Sequence, residues 1–115
     1  GGSALNFVPV VFGRGVECKP VAKTRNVDMA VEKVMNYAVA RVEAGLLTPY
    51  VSLSCGLSWT EIEDLPGLNR LRDACEQNGV ELLLSQMGIT SAIYVGPGSI
   101  CLALAAEPHE FSDFQ

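Results

Sequence analysis

Between Val27 and Val42 apolar side chains return at three- and four-residue steps, at Val27, Val31, Val34, Met35, Ala38 and Val42. That spacing gathers them along one stripe of an α-helix, which must be covered by other apolar surface to be stable in water. Thr24 or Asn26 can cap the start of this helix, Asp28 complements its dipole, and Gly45 supplies the left-handed residue that ends it. The rest of the chain has to bring a layer to this stripe.

The flanking segments read as that layer. Leu5 to Phe12, LNFVPVVF, is rich in β-branched and aromatic residues and predicts a first strand, with Pro9 placing it at an edge or an irregular spot. Gly13-Arg14-Gly15 reads as a turn and Val16 to Val21 as a second extended piece, which together make a hairpin. The Gly-Arg-Gly triplet lacks the spacing and the following Lys-Ser/Thr of a phosphate-binding P-loop. Tyr50 to Cys55 predicts a further strand.

A second helix follows with a full set of start signals. Ser58 and Glu61 spell the S-x-x-E capping box, and Leu57 and Ile62 are spaced as its hydrophobic staple. Glu61, Glu63 and Asp64 fall in or near this first turn, where negative charge is favourable, and no histidine stands by to make an acid–base pair with them. Trp59, on the same turn, reads as a packing or partner-contact residue. Pro66 can restart the helix at its first position, Leu68, Leu71 and Cys75 give it a stripe, and Asn78-Gly79 closes it.

Val80 to Met87 predicts a strand whose three consecutive leucines imply burial on both faces, and Ser99 to Ala105 is the last strand. Residues 88–98, between them, are too apolar for a solvated loop and too broken by glycine for a strand. Strands interleaved with helices predict an α/β fold, a two-layer sandwich with a mixed sheet of about five strands and two main helices. Residues 1–106 form the domain and 107–115 a polar tail that carries His109, the only histidine.

Composition excludes several classes. With 49% apolar and 18% charged residues the chain is not disordered. No apolar run approaches the ~18 residues of a membrane span, and Gly1-Gly2-Ser3-Ala4 lacks signal-peptide features, so a cytoplasmic location is expected. A net charge of -5 with eight basic residues argues against a nucleic-acid partner. The four cysteines, Cys18, Cys55, Cys75 and Cys101, form no C-x-x-C pair and sit among apolar neighbours, so they read as core residues, with no metal and no cofactor expected.

Two features could carry chemistry. Arg25 stands immediately before a helix start whose unpaired N–H groups favour an anion, and its guanidinium can grip a carboxylate or phosphate, or else pair with a surface Asp or Glu. Further along, Tyr94-Val95-Gly96-Pro97-Gly98 permits a tight bend with close backbone approach and a hydroxyl donor beside it.

In order, "NFVPVVFGRG", "KTRNVDMAVEKV", "ACEQNGVELLLSQMG" and "YVGPGSICLALA" resemble the C-terminal domain of the DegV family from Ala4 to about Ala106, most specifically at Pro9, Arg25, Ala30, Gly88 and Gly96-Pro97-Gly98. The resemblance implies binding of a long-chain fatty acid, as in the two-domain members that serve as the fatty-acid-binding subunit of a bacterial fatty acid kinase. It further implies that Arg25 faces the carboxylate, beside the position just before V-G-P-G. The family has a histidine there; this chain has Tyr94, which can donate a hydrogen bond but cannot become cationic near neutral pH. The family's N-terminal domain supplies a Ser/Thr-based share of the head-group site and much of the tail slot. It has no counterpart among these residues, so these residues are expected to hold half a site, completed by an N-terminal DegV-like domain or a separate chain.

The leading expectation is therefore a non-catalytic lipid-binding module that presents a fatty acid to a kinase. Its rival is an interaction or oligomerisation domain that has lost ligand binding. An enzyme is the weakest reading, because Ser52, Ser54 and Cys55 lie at a strand end without a G-x-S-x-G motif or a placed histidine.

Overall fold

Asn26 accepts the Met29 N–H through its side chain at 2.9 Å and starts an 18-residue helix that ends on Gly45, whose φ of 106° needs no β-carbon. This is α1 (Val27–Ala44), at the centre of a computed structural model that describes residues 8–14, 17–86 and 100–107. Around it run β1 (Val8–Arg14), β2 (Glu17–Thr24), β3 (Tyr50–Cys55), α2 (Trp59–Glu63), α3 (Leu68–Gln77), β4 (Glu81–Gln86) and β5 (Ile100–Ala103).

The α/β class holds, but the described strands do not join into one sheet of five. β1 and β2 form an antiparallel pair of their own, and β4-β3-β5 form a mixed sheet in which β3 is parallel to β4 and antiparallel to β5. Sequence patterning marks a segment as extended without saying which neighbour it bonds to, and a hairpin can satisfy its strands locally. The hairpin ladder also runs further than its turn composition suggested. Gly13 and Arg14, expected in the turn, pair with Cys18 and Glu17, and a register shift between Val10 and Val11 falls where β2 carries Pro20.

The three-stranded sheet has one face under helices. Val51, Leu53 and Cys55 of β3 point to that face and are buried. Leu82 and Leu84 of β4 and Ile100 and Leu102 of β5 are in register with them. α1 supplies Val31, Met35, Ala38 and Val42 to the same core, α2 supplies Ile62, and α3 supplies Leu68, Leu71 and Cys75. The other face carries Tyr50, Ser52, Ser54, Leu83, Ser85 and Ala103 by the alternation of the pleat.

Three expectations change here. Leu83 is 42% exposed while Leu82 and Leu84 are half-buried, so β4 is covered on one face and not two. A mixed sheet with both long helices packed together on one side leaves its second face open to alternation. Val27, a member of the predicted stripe, is 53% exposed at the first helical position. Pro66 does not open a helix: Gly67 is the N-cap of α3 at φ 83°, and that left-handed residue separates the five-residue α2 from α3. Among the described residues no helix is long and apolar enough to cross a membrane.

Candidate functional site

Five residues connect the end of α1 to β3, and the chain turns back over the sheet between them. The start of α1 and the carboxyl end of β3 therefore lie at the same end of the fold. The carboxyl end of β4 is there too, because β4 is parallel to β3, and β5 begins there at Ile100 opposite Cys55. This is the end of an open α/β sheet where ligands usually bind.

Arg25 is an exposed residue held by ordered neighbours. Before it, Thr24 is buried and its hydroxyl donates to the Asn26 carbonyl at 3.1 Å, across Arg25. After it, Asn26 caps the helix through the Met29 N–H, and its carbonyl accepts the Ala30 N–H at 3.2 Å. Arg25 makes no ion pair among the described residues, so the pairing with a surface carboxylate that its sequence allowed is not seen there. Val27 and Met29, 53% and 45% exposed, follow on the first turn, two residues apart and so on opposite sides of the helix. The result is a cation at the positive end of a helix, tempered by the Asp28 carboxylate on the first turn.

The other predicted ligand-binding residues, Tyr94, Gly96, Pro97 and Gly98, lie outside the described residues, as do Gly88 and His109. Gln86 and Ile100, the described residues that flank 87–99, are both at the Arg25 end of the fold.

Cys55 and Ser54, weighed for enzyme chemistry, and the acidic residues Glu61 and Glu63 are buried or paired. The Cys55 thiol faces the core, and burial pushes its pKa up, away from the reactive thiolate. The same holds for Cys75, and both thiols are free. Ser54 shares a hydrogen bond with Ser85 at 3.0 Å across β3 and β4 on the open face. Glu61 closes the capping box with Ser58 in both directions, and the hydrogen bonds from Ser58 hold its carboxyl below the usual range. Glu63 is likewise lowered, by a hydrogen bond from Arg72 at 2.9 Å. Among the described residues no group of His, Cys, Asp and Glu is arranged to hold a metal ion.

Arg25 was singled out in the sequence, but its surroundings were not. Val27 was read as core because it continues the stripe, and Met29 was not singled out at all. A stripe reports which side of a helix is apolar, but not how far the partner layer extends along it.

No family model matches the chain, and no solved structure matches it significantly. Among curated proteins it is 42% identical over 112 residues to a DegV domain-containing protein of Xanthomonas axonopodis pv. citri, and 42% identical over the same length to one of Xanthomonas campestris pv. campestris. Each alignment takes in 96% of the chain and 35% of the relative, so the chain spans about a third of the length of the curated relatives it matches.

Proposed function

We propose that this chain, a homologue of the DegV domain-containing proteins over 96% of its length, forms the carboxylate side of a fatty-acid-binding site. The observation that carries the reading is Arg25, exposed and without an ion pair among the described residues at the capped start of α1. A carboxylate head group is met by a cation and helix N–H groups together. In this reading the acyl tail continues into surface supplied by further chain, and the bound acid is presented to a separate kinase that acts on its carboxylate. The chain itself makes and breaks no bond. The buried, proton-retaining Cys55 and the capping role of Glu61 support a binding module over an enzyme.

The test is organic-solvent extraction of the purified protein, mass spectrometry of the extract, and titration with a fluorescent long-chain fatty acid. Removing a charge-assisted hydrogen-bond partner in Arg25→Ala should weaken binding roughly 10-fold or more. Tight binding that Arg25→Ala leaves unchanged would move the head group elsewhere. No binding by the wild-type chain, either alone or joined to the remaining length of a DegV-type protein, would refute the reading.

A further inference from the structure

Among the described residues β4 is an edge strand. Among the described residues it pairs with β3 alone, through the parallel register Tyr50↔Glu81 to Cys55↔Gln86, so its outer side presents backbone N–H and C=O groups with no ladder partner. Edges of this kind are usually blunted by lysine, proline, a bulge or a covering element. This one has neither a lysine nor a proline, its six-residue register is unbroken, and its only charged side chain is Glu81 at one end. Leu83, at its middle, is 42% exposed on the face away from the helices.

From these observations we propose that the β4 edge pairs antiparallel with β4 of a second copy of this chain, joining two three-stranded sheets into one of six strands. A two-fold axis perpendicular to the sheet keeps the helices of both copies on the same face. Opposed residues must then share a face of the pleat. Centring the pair on Leu83 meets that condition. It sets Leu83 opposite Leu83 of the second copy on the open face, Leu82 opposite Leu84 on the helix-covered face, and Glu81 opposite Ser85. The two exposed leucines cover one another, and no carboxylate faces a carboxylate. A second copy fits this edge because its pattern is complementary to itself.

Sedimentation equilibrium of the 115-residue chain between micromolar and millimolar concentration tests the idea, with far-UV circular dichroism confirming that each variant is folded. The wild type is expected to form a dimer and nothing larger. Ser85→Glu places two carboxylate pairs in the joint with Glu81, and Ser85→Lys replaces them with opposite charges. Cross-strand pair energies make each change worth roughly 2- to 30-fold in the dimer Kd, weaker for Glu and tighter for Lys. Leu83→Lys, at an exposed position, should weaken the dimer about tenfold or more. A chain that stays monomeric throughout, open-ended oligomers, or a dimer that Ser85→Glu and Ser85→Lys shift in the same direction would each overturn the proposal.

Discussion

A β-carbon placed on Gly67 would lie 2.8 Å from the β-carbon of Met35, closer than packed side chains come, and the residue holds φ at 83°. Both facts follow from its position where α3 starts against α1. Arg70, three residues on, donates to Glu32 at 3.2 Å and also to Asn36, so the two helices are locked by a tight backbone approach and a guanidinium side by side. Gly67→Ala therefore combines a left-handed alanine with an overpacked contact, and should destabilise the chain by roughly 2–4 kcal/mol in urea unfolding. Gly79→Ala is the control: φ is 67° there too, but a β-carbon meets nothing within 4 Å, so only the conformational part, about 1 kcal/mol, should remain. Equal effects at the two sites would show that the Met35 contact contributes nothing. The capping box at Ser58 and Glu61 was legible in the sequence because its partners are three residues apart. The Gly67–Met35 contact was not, because no local pattern joins residues in different helices.

At the scale of elements, the three leucines of β4 mark the limit of what a hydrophobic run can say. A strand buried on both faces and an edge strand with one open face can share the same letters, and only the number of layers around the strand distinguishes them. Here Leu82 and Leu84 lie in register with buried Val51 and Leu53, while Leu83 lies in register with Ser52 on the open face. The run thus divides into residues of unequal worth. Leu53→Ala, at a fully buried site, should cost about 2–5 kcal/mol, and Leu84→Ala less because its site is only partly covered. Leu83→Ala should fall within about 0.5 kcal/mol when measured at a concentration where the chain is monomeric. Thermal unfolding of the three variants gives the order directly, and a Leu83 variant as unstable as Leu84 would mean that the second face is covered after all. The same limit explains Val27: the stripe of α1 was readable, but not that its first member would stay 53% exposed.

For the molecule as a whole, the sequence conveyed kinship and fold class better than it conveyed connectivity. Arg25 is the one expected ligand-binding residue among those described, and it stands immediately before α1, as the helix spacing predicted. The partition of five strands into a pair and a triplet was invisible, because pairing is decided by which surfaces meet after the chain has folded. That partition has a dynamic consequence. β3 is paired on both edges, and its inward side chains are fully buried under α1 and α3, so its amides open only with the whole core. The β1–β2 ladder is held by its own pairing and packs chiefly on α1, in part through the edge-on contact of Phe12 with Tyr37 at 5.9 Å. It can detach while the β4-β3-β5 sheet and its helices stay intact. Native-state hydrogen exchange should accordingly find β3 amides exchanging at the global unfolding free energy, and β1 and β2 amides exchanging earlier through a subglobal opening that depends less steeply on denaturant. Phe12→Ala should enlarge that difference by loosening the hairpin alone. If the two sheets instead exchange with one free energy and one denaturant dependence, the hairpin and the core form a single cooperative unit, and the division seen in the hydrogen bonding carries no energetic boundary.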